Sequence, residues 1–178
     1  MAARLGGGES AAFIRIEMIL LLMGVAGAGK TSVGRVLADR LGYEFLDADY
    51  LHSANNVEKM RTGVPLTDAD REPWLAAVAS ALDAFAAAGI SAVVACSALK
   101  QKYREQLMKR GVILVYLKIT PGLAAVRAIE RHHDFMPATL VASQFEDLEE
   151  PEGVLTLDAS LPVERVVDEI AGRIAGTE

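Results

Sequence analysis

Residues 24–31 read Gly24-Val25-Ala26-Gly27-Ala28-Gly29-Lys30-Thr31 and fit G-x-x-x-x-G-K-[ST]. Glycines at these positions let the backbone curl until its N–H groups point inward at phosphate oxygens. The N-terminus of a following helix adds the positive end of its dipole. Lys30 can reach the β- and γ-phosphates of a nucleotide, and the Thr31 hydroxyl can ligate Mg²⁺. The chemistry on offer is the binding of a triphosphate, with Ser32 beside it at the start of the helix.

A second group of polar residues follows. Asp47 and Asp49 alternate along an expected strand, Tyr43–Asp49, so both should point to one side. One carboxylate can hold Mg²⁺ through water, and the other can accept the proton of an attacking hydroxyl. Between Leu51 and Trp74 lie His52, Asn55, Asn56, Lys59, Arg61, Asp68, Asp70 and Arg71. After the second strand of a phosphate-binding protein, such a segment reads as an arm for the phosphoryl acceptor. Arg127 and Arg131 stand i, i+4 on one helical face, where they can border a mobile lid and neutralise the transferring group. His132 and His133 are adjacent, and adjacent helical residues do not face one metal. Cys96 ends an apolar strand and reads as a packed thiol.

These residues need elements to hold them. Ile19 to Met23 is an apolar strand before the loop, and Val33, Val36, Leu37 and Leu41 give the helix after it an apolar face. Thr67-Asp68-Ala69-Asp70 resembles a capping box before a long helix burying Trp74, Leu75, Val78, Leu82 and Phe85. Ile90–Cys96 and Val112–Ile119 read as further strands, with a helix over Lys100–Arg110 between them. Pro121 opens a helix through Arg127, Pro137–Phe145 reads as another, and Val154–Leu157 is the last strand. Val163, Val166, Val167, Ile170 and Ile174 stripe the last helix. This alternation predicts a parallel sheet covered by helices on both faces. In such sheets ligands bind beyond the carboxyl ends of the strands, which gathers the loop, Asp47, Asp49 and the segment after Cys96 at one edge.

Length and composition fit this picture. The chain has 178 residues, 52% of them hydrophobic, enough for one domain with a substantial core. Its net charge of −6 and lack of a basic stripe argue against nucleic acid as a partner. No apolar run approaches the roughly 20 residues of a membrane span. The single cysteine, Cys96, excludes an internal disulfide and suits a reducing cytoplasm. Residues 1–17 read as a flexible extension, so the functional chain is expected to begin at Met18.

Four segments together carry a resemblance: GVAGAGKTSVG, FLDADYLHSANNVEKMRTGVPLTDADREPWL, VVACSALKQKYREQL and SQFEDLEEP. They resemble the corresponding segments of the gluconokinases, small P-loop kinases that move the γ-phosphate of ATP to the 6-hydroxyl of D-gluconate. PL-x-D-x-DR-x-PWL and CSALK-x-x-YR discriminate far better than the phosphate loop alone. The resemblance implies a nucleoside-monophosphate-kinase-like α/β fold, with a five-stranded parallel sheet in the order 2-3-1-4-5 and a small lid near 131–137. It also implies Mg²⁺ dependence, an acceptor arm over about 50–74, and a cytoplasmic homodimer. By position it implies that Gly24 to Ser32 bind ATP and that Asp49 engages the acceptor hydroxyl with Asp47 on its metal side. His52, Lys59, Arg71 and Lys100 would contact the sugar acid. Arg71 is the favoured partner of the acceptor carboxylate because its planar fork matches one, and Arg104 is an alternative. At the lid, the family reads G-H-F-M-P where this chain has His133-Asp134-Phe135-Met136-Pro137, a departure expected to affect rate. Two rivals remain: another small-molecule kinase of shikimate type, and a non-catalytic ATP-binding regulator.

Overall fold

The computed structural model describes residues 17–109, 111–130, 137 and 139–176. The expected extension (apart from Glu17) and the expected lid (apart from Pro137), with Arg131, His132, His133 and Asp134, lie outside them. Strand β1 (Ile19–Met23) is five buried apolar residues in a row, as a strand flanked on both sides requires. It pairs in parallel with β3 (Ala92–Ala95) and β4 (Val112–Lys118), while β2 (Glu44–Asp47) and β5 (Leu155–Asp158) take the outer places. The resulting order is β2-β3-β1-β4-β5.

The side chains of β1 divide between two cores. Leu20 and Leu22 join Leu37 of α1 (Lys30–Leu41) and Val166, Val167 and Ile170 of α7 (Val163–Ala175). Ile19, Leu21 and Met23 join Trp74, Val78 and Leu82 of α3 (Asp68–Ala87) and Tyr103 and Leu107 of α4 (Gln101–Leu107). Helices thus cover both faces. On α1 the buried stripe is Val33, Gly34, Leu37 and Ala38, and Val36 turns to solvent instead of joining it. Gly34 lets this helix lie close to the sheet, since a Cβ there would fall 2.5 Å from the Phe45 ring.

Two departures from the expected elements bear on the site. β2 stops at Asp47, and the chain enters a 3₁₀ turn at Ala48–Leu51. The Asp47 carboxylate accepts the Asp49 N–H at 3.1 Å, which turns the chain out of the strand direction. Trp74 then holds the turn by donating its indole N–H to the Ala48 carbonyl at 2.8 Å. The second departure is α6 (Thr139–Asp147), which runs two residues beyond the expected end at Phe145 and so carries Asp147 in its last turn.

The segment expected to form an acceptor arm folds into α2 (Ala54–Arg61), capped by Ser53, and the first turns of α3. Thr67 and Asp70 form the expected capping box, each side chain taking the other's backbone N–H. Met60, Leu66 and Leu140 form a small third core that ties the arm to α6. α5 (Pro121–Glu130) begins at its proline. Among the described residues no helix is long and apolar enough to cross a membrane.

Candidate active site

The phosphate loop occupies the gap between β1 and α1. Its Gly24 and Gly27 have positive φ, and neither tolerates a side chain. A Cβ on Gly24 would lie 2.8 Å from the Leu117 carbonyl oxygen, and one on Gly27 would lie 2.7 Å from that of Ala124. Lys30 donates to the Val25 carbonyl at 3.0 Å, which curls the loop over its own lysine. Gln144 of α6 accepts the Ala26 N–H at 2.6 Å and fixes the loop from outside. A cavity of about 550 Å³ opens in front of this loop.

Both acids of the second strand region reach that cavity, though not by strand alternation. Asp47 closes the strand and Asp49 stands in the 3₁₀ turn beyond it, yet both line the space that Lys30 and Thr31 line. The Thr31 hydroxyl donates to Asp47 Oδ2 at 2.7 Å. Hydroxyl and carboxylate therefore present hard oxygen donors side by side at the mouth of the phosphate loop. The other oxygen of Asp47 caps the turn that carries Asp49. One residue thus serves both the loop and the position of its neighbour.

The far wall of the cavity includes His52, Arg71 and Trp74. His52 stacks on Trp74 with ring centroids 4.4 Å apart and planes within 9°. Its Nδ1 is buried without a hydrogen-bond partner among the described residues. Burial, and then the nearby charge of Arg71, lower its pKa from 6.5 to about 4, so the ring is neutral at physiological pH. Arg71 donates to the Tyr103 hydroxyl at 3.0 Å and pairs with Asp147 at 2.8 Å.

The remaining expected contacts stand differently. Lys59 pairs with Asp70 at 2.7 Å and does not line the cavity. Its ammonium, followed by the Thr67 bonds, holds Asp70 down to about 2. Lys100 pairs with Asp68 and Asp147 and also stands behind the wall. Arg104 departs furthest from its expected place at the acceptor carboxylate. It is buried, and its Nη1 donates to the carbonyls of Ala98 and Leu99 at 3.0 and 2.7 Å. Those bonds brace a loop in which Ala98 has φ 43°, and the neighbouring Ser97 carbonyl accepts the Gly24 N–H. Arg104 therefore supports the phosphate loop from behind.

Arg127 is likewise drawn away from the main cavity. Its Nη1 donates to the Ala159 carbonyl at 2.7 Å and to that of Gly27 at 3.3 Å. It lines a second cavity of about 240 Å³ with Gly29, Ser32, Val33, Ala159 and Leu161. The buried side of α5 faces the phosphate loop, so this arginine staples the loop to the β5–α7 connection. Cys96 is fully buried, and burial pushes its thiol up to about 12, which leaves it unreactive.

Sequence reasoning gave no role of their own to Gln144, Tyr103 and Asp147, and counted Asp68 only among the polar residues of the expected arm. Gln144 had a usable signal, since it breaks the apolar stripe of Leu140 and Val141 on the buried side of a helix. The other three act through partners distant in the chain, which no local pattern announces.

A family model described as shikimate kinase matches residues 26–151. Gluconokinase from Gluconobacter oxydans (strain 621H) is 50% identical over 136 residues, covering 74% of this chain and 75% of that protein. Thermoresistant gluconokinase from Escherichia coli (strain K12) is 39% identical over 156 residues, covering 84% and 89%. Among solved structures, a gluconokinase from Sinorhizobium meliloti 1021 is 38% identical with a TM-score of 0.80, covering 92% of this chain and 94% of that one.

Proposed function

The chain belongs to the gluconokinases, within the wider shikimate-kinase family of P-loop kinases, and from that membership we propose that it transfers the γ-phosphate of ATP to the 6-hydroxyl of D-gluconate. The observation that carries the reading is a single cavity lined by Lys30, Thr31, Asp47, Asp49, His52 and Arg71. It joins a phosphate grip to groups suited to a polyhydroxy acid.

In this reading the loop N–H groups and Lys30 hold the β- and γ-phosphates. The nucleoside runs past Ser32 toward the second cavity, where Arg127 lies. Thr31 and Asp47 would hold Mg²⁺, whose role when bound is to neutralise phosphate charge. Two protein oxygens suit an ion that takes its other ligands from water and phosphate. Asp49 accepts the proton of the acceptor hydroxyl as that oxygen forms its bond to the γ-phosphorus and the bond to ADP breaks. Arg71 meets the acceptor carboxylate, and the unpartnered Nδ1 of neutral His52 meets a hydroxyl. The use of ATP supports a cytoplasmic site of action in this reading, and the family resemblance favours a homodimer, which light scattering would read as twice the chain mass.

The shikimate-type alternative shares the loop and the strand order. It does not account for the HSANNVEKM arm, which the gluconokinase reading does. A non-catalytic regulator would bind nucleotide without turnover. Phosphorus NMR of a reaction with ATP, Mg²⁺ and D-gluconate tests the proposal. The expected product is one phosphomonoester split by two protons, because the 6-hydroxyl is on a CH₂. A product split by one proton, or no product, would refute it.

A further inference from the structure

Five side chains close a ring behind the far wall of the main cavity. Arg71 Nη1 donates to the Tyr103 hydroxyl and forms an ion pair with Asp147 Oδ2 at 2.8 Å. The Tyr103 hydroxyl donates in turn to Asp68 Oδ1. Lys100 completes the ring, 3.0 Å from Asp68 Oδ1 and 3.2 Å from Asp147 Oδ1. The members come from the first turn of α3, the start of α4 and the last residue of α6.

Asp147 is the member with least local reason to be there. An acid in the last turn of a helix meets the negative end of the dipole and is disfavoured. Here its two oxygens each meet a different cation, which offsets that cost. Its side chain is also only 26% exposed, so the pairing is shielded more than a surface ion pair would be.

The way Arg71 is gripped shows what the ring does. Its nearest approaches to the Tyr103 hydroxyl and to Asp147 are both made by Nη1, while the guanidinium carbon lies 5.6 Å from the centre of the Tyr103 ring. Nε and Nη2 make no hydrogen bond among the described residues. They form one flat edge of the guanidinium, spaced to meet both oxygens of a carboxylate. A side chain this long loses much rotamer freedom when it binds, and fixing it beforehand removes that cost from recognition.

We propose that Asp147, through this ring, is the positioning residue that sets specificity for a carboxylate-bearing acceptor. It grips the Nη1 corner of Arg71 so that the Nε–Nη2 edge is presented to the acceptor carboxylate, and it does not touch the acceptor itself. This rests on the kinase reading above and adds to it the residue that selects an acid over a neutral polyol.

The test compares Asp147→Asn and Tyr103→Phe with the wild type on D-gluconate and on uncharged D-gluconamide, with ATP and Mg²⁺. Each variant should raise KM for gluconate roughly tenfold, with kcat and the KM for ATP little changed. Gluconamide kinetics should barely move, so the preference for the charged acceptor collapses. An unchanged KM for gluconate overturns the proposal. A lowered KM also overturns it, since Asp147 would then be a counter-ion competing with the substrate. Equal losses on both acceptors overturn it too, as the mark of general structural damage. Tyr103→Phe keeps the core ring and supplies the answer if Asp147→Asn fails to fold. An active wild type with unaltered variants sinks only the role of Asp147, whereas a wild type inactive on gluconate sinks the kinase reading as well.

Discussion

A primary hydroxyl keeps its proton at neutral pH, so its transfer to phosphorus needs an acceptor for that proton within the closed site. In the proposed reaction Asp49 is that acceptor; it lines the same cavity as Lys30, and its backbone N–H is fixed by Asp47. Replacing Asp49 with Ala should lower kcat roughly 10²–10⁴-fold, the usual worth of a positioned base. ATP binding, read by calorimetry, should persist. Equal loss of binding and turnover would mean that the carboxylate serves the nucleotide instead. His52 gives a prediction in pH. The unfolded chain takes a proton on this residue near 6.5 and the folded chain only near 4. Between those values the unfolded state binds more protons, so stability falls as the pH falls through that window. His52→Gln removes this contribution. Urea unfolding at about pH 7 and about pH 5 should show a smaller loss in the variant than in the wild type. Equal losses would place the proton elsewhere.

Elements set these residues in place through their ends more than their middles. The first turn of α3 carries Asp68, Asp70 and Arg71, and Thr67 caps it. Thr67→Ala should cost about 1 kcal/mol in denaturant unfolding. It should also raise KM for the acceptor, because fraying of this turn releases Arg71. Unchanged stability would show the cap to be redundant. The sequence exposed this cap in full, because the signal is local: a threonine three residues before an acid. It exposed the phosphate loop for the same reason. The 3₁₀ turn after β2 was not legible. Its cause is a side-chain cap by Asp47 and a buried indole bond from Trp74, 26 residues away. Arg104 and Arg127 misled in the same way. Their types suited a phosphate or carboxylate, and only the folded chain shows backbone carbonyls meeting them first.

Across the whole molecule, an acidic chain of net charge −6 must receive two anionic substrates. The fold sets two cations in a cavity wall that also carries Asp47, Asp49 and Glu130, so a bound Mg²⁺ would have to supply the further positive charge. Lys30 and Arg71 line the cavity, while Lys59 and Lys100 are neutralised behind it by acids. The parallel sheet was legible because apolar strands alternate with helices along the chain, whereas its order, β2-β3-β1-β4-β5, came only from the resemblance to the gluconokinases. In the proposed function, selectivity for gluconate lies at this one edge of the sheet. It is tested most directly by a coupled assay with ATP and Mg²⁺ across D-gluconate, shikimate and nucleoside monophosphates. kcat/KM for gluconate should exceed the others by roughly 10²-fold or more, as a site that pairs buried polar groups with its own substrate allows. Shikimate or a nucleoside monophosphate outperforming gluconate would contradict it.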